Sequence, residues 1–394
     1  MKNLLLSLLF SAITLSAYPD EPVFRMAPYL QDVSYTEATI MWMTNVPVYG
    51  WVEYGTDTLS LQKVHLLDDG IVISNNKQHK IWLEELNPGT TYYYRACSQE
   101  ILKYGPYGKE FGRTEKSPFI AFTLPYPGIK DFTCLIFNDT HSNAELFTNL
   151  VKVVENVDFD FTFFNGDVSN DPANEADAVN ILSVYNKAVN AGSKPAIYIR
   201  GNHEIRGAYS MLLKKHFDRP GGKFYSAFDW GTTRFVIMDC GEDKPDSTWV
   251  YYGLNDFSAF RQEQAEWLKS EIMSKAWKKA EARVLLHHIP TFGNSDNYNP
   301  CLELWGPILK KAPFHIAING HTHEFAFHEK GNIDNPYPVV VGGGSNAKSA
   351  TVMVLKRTGK KMNLKVFNIE GRELLNINFA PPIRKLFPEI NNSV

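Results

Sequence analysis

Five times between residues 134 and 323 a short apolar run stops abruptly at glycine, histidine or a carboxylate. Residues 134–137 lead into Asn138, Asp139, Thr140 and His141, and 161–164 lead through Asn165 into Gly166 and Asp167. Residues 196–199 lead through Arg200 into Gly201, Asn202, His203 and Glu204; 284–286 lead into His287, His288, Ile289 and Pro290; 315–318 lead into Gly320, His321, Thr322 and His323. Runs of this length suit buried strands. Polar residues gathered at one end of successive strands describe a single site, because open α/β sheets carry their functional loops beyond the strand carboxyl ends.

Between these runs the period changes to that of helices. Residues 144–155 predict a helix with Asn143 as N-cap, 175–189 a second and 257–273 a third, each placed to cover a sheet. Further strands are expected at 223–229, 232–239, 324–327, 339–342, 351–355 and 364–368. From residue 22 to 125 the texture is instead all-β. Short aromatic and β-branched runs at 39–43, 50–54, 80–83 and 90–95 predict a sandwich of immunoglobulin or fibronectin III type. Pro125, Tyr126, Pro127 and Gly128 mark the boundary. The expected organisation is 1–17 signal peptide, 20–125 β domain, 129–382 catalytic domain and 383–394 polar tail. The leader reading rests on Lys2, the apolar residues 4–15, and Ser16 and Ala17; it implies a secreted or periplasmic protein without stable membrane insertion after cleavage.

With 394 residues, 44% of them hydrophobic, the chain can build two sizeable cores. A net charge of −3 and the lack of a basic, aromatic-interleaved tract indicate no nucleic-acid partner. Cys97, Cys134, Cys240 and Cys301 show no paired metal spacing and leave three disulfide connectivities and free thiols open. Composition is silent on an oligomeric partner.

The ordered set Asp-x-His, Gly-Asp, Gly-Asn-His-Glu, His and Gly-His-x-His resembles the signature of the calcineurin-like metallophosphoesterase superfamily. Trp42, Leu83, residues 86–90 and Tyr92 to Arg95 resemble the N-terminal domain of purple acid phosphatases. The resemblance implies a four-layer α/β/β/α catalytic domain behind the β-sandwich. It implies two metal ions, one held by Asp139, His141, Asp167 and His323, the other by Asp167, Asn202, His288 and His321, with Asp167 bridging. At the fourth motif the pattern prefers His288, two residues before proline, and leaves His287 to the core or a supporting position. The nitrogen and oxygen donors fit Fe, Mn or Zn.

The activity implied is hydrolysis of a small phosphorylated molecule, a monoester or diester, by attack of metal-activated water on phosphorus. His203 would stabilise the transition state or protonate the leaving alkoxide, and Glu204 would hold its loop. Arg206 and the loops 241–256 and 291–300 are candidates for the pocket rim. The other class compatible with the chain is a secreted ligand-binding or surface-interaction protein retaining the scaffold. Two departures narrow the resemblance to purple acid phosphatases. Asn170 stands where those enzymes carry a tyrosine, and His141 is present where they commonly lack histidine, so the ferric-tyrosinate colour is not expected.

Overall fold

The computed structural model describes residues 24–379; the leader and the tail expected from sequence lie outside the described residues. Two six-stranded sheets form the centre. The first runs Ala196–Ile199, Phe161–Asn165, Phe132–Phe137, Thr351–Thr358, Lys361–Asn368 and Glu373–Phe379, its first three strands parallel. The second runs Ser226–Trp230, Thr233–Ile237, Ala282–Leu286, Ile316–Asn319, Val339–Val341 and Ala326–His328, parallel across its four middle strands.

Alternation within a strand decides what each face touches. In Phe132–Phe137, Cys134 and Ile136 join Phe161, Phe163, Val284 and Ile316 in the core between the sheets. Leu135 and Phe137 point the other way, onto Leu146, Phe147 and Leu150 of the helix Ala144–Val153 and Leu182 and Tyr185 of the helix Glu175–Ala188. On the outer face of the second sheet, Leu285 and Ala317 pack with Ala265 and Leu268 of the helix Phe257–Glu271 and with Trp277. Helices therefore cover both outer faces. Asn143 caps its helix as expected, its side chain accepting from the Leu146 amide at 3.0 Å.

The expected discrete β-sandwich does not form as a separate unit. Residues 39–43 and 50–54, read as two strands, belong to one strand, Ala38–Gly55. Its first half pairs with Asn76–Leu83 and its second half with Thr91–Tyr104, so seven of the region's nine strands join in one sheet and only the short pair Leu67–Asp68 and Ile71–Val72 stands apart. Nor is the region closed on itself. Its own core holds Ile40, Trp42, Val52 and Tyr94, but Met26, Tyr29, Met41 and Met43 face the other way and enter the core of the catalytic region beside Ile181 and Tyr185. All four cysteines are buried free thiols, which removes the disulfide alternatives. Among the described residues, no helix is long and apolar enough to cross a membrane.

Candidate metal centre

Every motif singled out above falls just past a strand end of one of the two sheets, and all five loops meet at one edge. Two groups of donor atoms result. Asp139, His141, Asp167 and His323 form one; Asp167, His288 and His321 form the other, with Asp167 common to both. Asn202 lies alongside the second, its Oδ1 3.0 Å from His321 Nδ1.

The backbone needed for this convergence is unusual. Asp139, His141, Asp167, His321 and His323 all have positive φ, between 44° and 76°, a region non-glycine residues seldom occupy. The strand ends at Asn319, and the left-handed turns at His321 and His323 send the two rings to different groups. Close packing imposes glycine where the loops touch. A Cβ on Gly201 would lie 2.2 Å from Asp167 Oδ1, and one on Gly166 2.4 Å from the His288 ring.

Surrounding hydrogen bonds aim the donor atoms. Asp167 Oδ1 accepts from the His203 amide at 2.9 Å, leaving Oδ2 to face His288 Nε2 at 3.0 Å and His141 Nε2 at 3.7 Å. Asp139 Oδ2 accepts from Asn138 Nδ2 and the His321 amide, leaving Oδ1 3.2 Å from His323 Nε2. His288 Nδ1 donates to the Asn165 carbonyl at 2.9 Å, which orients the ring so that Nε2 is the atom turned to the site. His141 Nδ1 likewise donates to Asn170 Oδ1 at 3.2 Å, while its Nε2 meets His323 Nε2 at 3.0 Å. Asn170, the residue that departs from the purple acid phosphatase pattern, is thus the partner that orients His141.

These residues fit metal ions. Asp139 Oδ1 and His288 Nε2 are buried without a hydrogen-bond partner, a costly arrangement for polar atoms unless a cation faces them. Protonation states carry the same signature. Burial opposes a charge on His288, yet Asp167 and Asp139 outweigh it and push its pKa up to about 10. Burial also opposes charge on Asp139, but His288, His141 and His323 hold it far below the usual carboxylate range. The buried carboxylates thus draw positive charge into the site, as a proton on His288 or as a metal ion that displaces that proton.

Beside the donors, His203 Nε2 lies 4.0 Å from Asp167 Oδ2, and its Nδ1 is 3.0 Å from Asp171 Oδ1. Burial lowers its pKa and Asp167 works against that effect. Glu204 is buried and accepts from the amides of Asp167, Ser169 and Gly201, tying two motif loops together; burial and Asp167 push its carboxyl up to about 7. Arg206 is turned from the donors toward Glu242 at 2.9 Å and Asp243 at 2.7 Å. His287 points away, its Nδ1 2.7 Å from the Ile289 carbonyl in the core near Asn319. Two carboxylates carry more weight than the sequence indicates. Asp171 was not singled out there, and its only signal is a position four residues after Asp167. Asp296, read as pocket rim, reaches His321 Nε2 at 3.1 Å.

Fold and donor set together define the class: residues 132–325 match the calcineurin-like phosphoesterase family. The chain is 25% identical over 288 residues to human acid phosphatase type 7, covering 67% of this chain but only 58% of the human protein. The structure of purple acid phosphatase PPD1 from yellow lupin superposes with a TM-score of 0.64 over 91% of this chain and 75% of that one, at 18% identity. PhoD superposes with a TM-score of 0.63 over 92% of this chain and 94% of its own, at 13% identity. At these identities the structural matches establish the fold.

Proposed function

We propose that the chain is a dinuclear metal-dependent phosphoester hydrolase acting on a small phosphorylated molecule. The observation that carries this reading is Asp167, whose single free oxygen faces His288 and His141 of the two donor groups while its other oxygen is held by the His203 amide. One group, Asp139, His141, Asp167 and His323, would hold the first ion. Asp167, Asn202, His288 and His321 would hold the second.

Bound ions supply Lewis acidity toward water and toward the phosphate oxygens. The protein's own part is to orient and to move a proton. Asp171 accepts from His203 Nδ1, which turns Nε2 toward the site and raises its basicity. His203 then stands where it can give a proton to the departing alkoxide. Glu204 keeps His203 in register with Asp167 by holding the loops that carry both. In this reading residues 129–382 form the catalytic unit, and the β region 20–125 packs against it through Met26 and Met41. A leader at 1–17 would direct the protein to a secreted or periplasmic location.

The test is turnover by the metal-loaded protein against separate panels of phosphate monoesters and diesters, with metal content measured on the same preparation. We expect metal-dependent hydrolysis of at least one panel. Two fully occupied metal sites without hydrolysis of any ester would reject the activity and favour a binding role.

A further inference from the structure

Next to His203 the surface opens into a cleft of about 820 Å³ between residues 205–211 and the loop 242–257. The cleft starts at the catalytic edge, since Arg206 Nη1 lies 3.4 Å from His203 Nε2. Its volume falls in the range of small-molecule sites, about 300–1,000 Å³.

The positive charges facing the cleft already have partners. Arg206 is paired with Glu242 and Asp243, Lys244 with Asp243 at 2.6 Å, and Arg200 with Asp239 at 2.7 Å. A second phosphate or another anionic group would have to break one of these pairs. The walls, by contrast, present apolar surface to water: Met211 is 86% exposed, Tyr252 80% and Leu254 87%. Exposed apolar surface gathered around a concavity marks a binding site. Trp249 extends this rim, its ring edge-on to Tyr252 at 6.5 Å.

The loop displaying these side chains is anchored. Asp246 accepts from the amides of Phe257 and Ser258 at 3.0 and 2.9 Å, and buried Arg261 donates to the carbonyls of Cys240 and Glu242 at 2.7 Å each. Between these anchors Tyr252 adopts φ 50°, ψ 27°, a left-handed conformation unfavourable for an aromatic residue. Its outward ring is therefore imposed by the loop, a form of strain that collects at ligand sites.

We infer that this cleft receives the alcohol portion of the ester, and that the favoured substrate is a phosphoester with one phosphate and a flat, uncharged, apolar or aromatic alcohol group. The assignment rests on the hydrolase reading for the position of the phosphate. The walls would select the group by stacking and apolar contact. The neutralised charges would disfavour polyphosphorylated molecules.

Metal-loaded full-length protein is assayed with 1-naphthyl phosphate and methyl phosphate, as wild type, Tyr252→Ala and Met211→Ser, on opposite walls. The ratio of kcat/KM for the naphthyl ester to that for the methyl ester is expected to fall about tenfold in each variant, mainly through KM. Taking the ratio within each protein cancels differences in intrinsic leaving-group reactivity between wild type and variant. A second readout, the Kd of 1-naphthylmethylphosphonate by tryptophan fluorescence, is expected to rise by a similar factor. Hydrolysis of methyl phosphate with neither ratio nor Kd responding would overturn the cleft assignment and leave the hydrolase reading standing. No hydrolysis of any ester, with phosphonate binding still weakened by both substitutions, would sink the hydrolase reading while supporting the cleft. Tighter binding of a polyphosphate such as inositol hexakisphosphate than of the phosphonate would also overturn the proposal.

Discussion

Around Asp167 the protein brings nitrogen and oxygen lone pairs together, with His141 and His323 Nε2 only 3.0 Å apart and buried acceptors left without donors. Around Trp42 the N-terminal sheet does the reverse. There the ring is buried, stacks on His79 at 4.8 Å, and its indole N–H donates to Ser98 Oγ at 3.0 Å. The Trp42 region is stabilised by its own contacts, whereas the metal edge is held in an otherwise unfavourable arrangement by the sheets and by second-layer hydrogen bonds. Substitutions at the metal edge should therefore change chemistry more than stability, and those around Trp42 the opposite.

The largest test of this contrast is Asp167→Asn. It removes the charge shared by both donor groups, so both ions should weaken and turnover should fall by more than about 10³-fold. Retention of two fully occupied sites in the variant, by elemental analysis and anomalous diffraction, would remove the bridging role.

His203→Ala should leave most metal bound and lower turnover by about 10² to 10⁴-fold, with the larger loss on esters of poor leaving groups. Measured across esters of graded leaving-group pKa, an equal loss on all of them would argue against proton donation. Parallel loss of metal would make the residue structural.

Trp42→Ala reverses the expected pattern, with a destabilisation of about 3–5 kcal/mol from the cavity it leaves and little change in metal affinity of the folded protein. Urea unfolding and metal titration on one preparation decide this. A stability loss under ~1 kcal/mol would show that the β region is packed less firmly than its burial indicates.

A smaller effect is expected at Asp296, which orients His321 from the side opposite Asn202. Asp296→Asn should weaken metal affinity by about 10 to 100-fold at one ion only, readable by competition with a chelator. Equal weakening of both ions would place its influence elsewhere.

The smallest effect is on pH dependence. Burial lowers the pKa of His79 from 6.5 to about 3, and that of His315, with Arg283 adding to it, to about 4. Both are neutral in the folded protein, whereas the unfolded chain takes up protons below pH 6.5, so stability is full above that value and declines as pH falls toward 4. Denaturant midpoints of chelator-treated protein should show this slope, and His79→Gln should reduce it by about one proton. An unchanged slope would mean that His79 already titrates normally in the folded state.

Strand ends rich in histidine and carboxylate were legible because the chemistry is written in residue types, and a run such as 134–137 has few ways to be buried. The helices Ala144–Val153, Glu175–Ala188 and Phe257–Glu271 were legible for a similar reason, since a one-faced apolar period and an N-cap act within one or two turns. What escaped depends on contacts far apart in sequence. Asp171 acquires its partner His203 from a different strand end, and Asp296 acquires His321 from across the site. Nothing local distinguishes either from a surface aspartate.

The sequence by itself determined which residue types stand at each strand end and hence the class of chemistry, because periodicity and donor identity are local properties. Only the tertiary structure decided how the rings of His321 and His323 reach their separate donor groups, since that depends on left-handed turns stabilised by the amide of His321 donating to Asp139, 182 residues away. It alone decided that the N-terminal strands continue as one sheet whose Met26 and Met41 complete the catalytic core. Burial of such side chains is a property of two surfaces together, and a one-dimensional pattern records only one of them at a time.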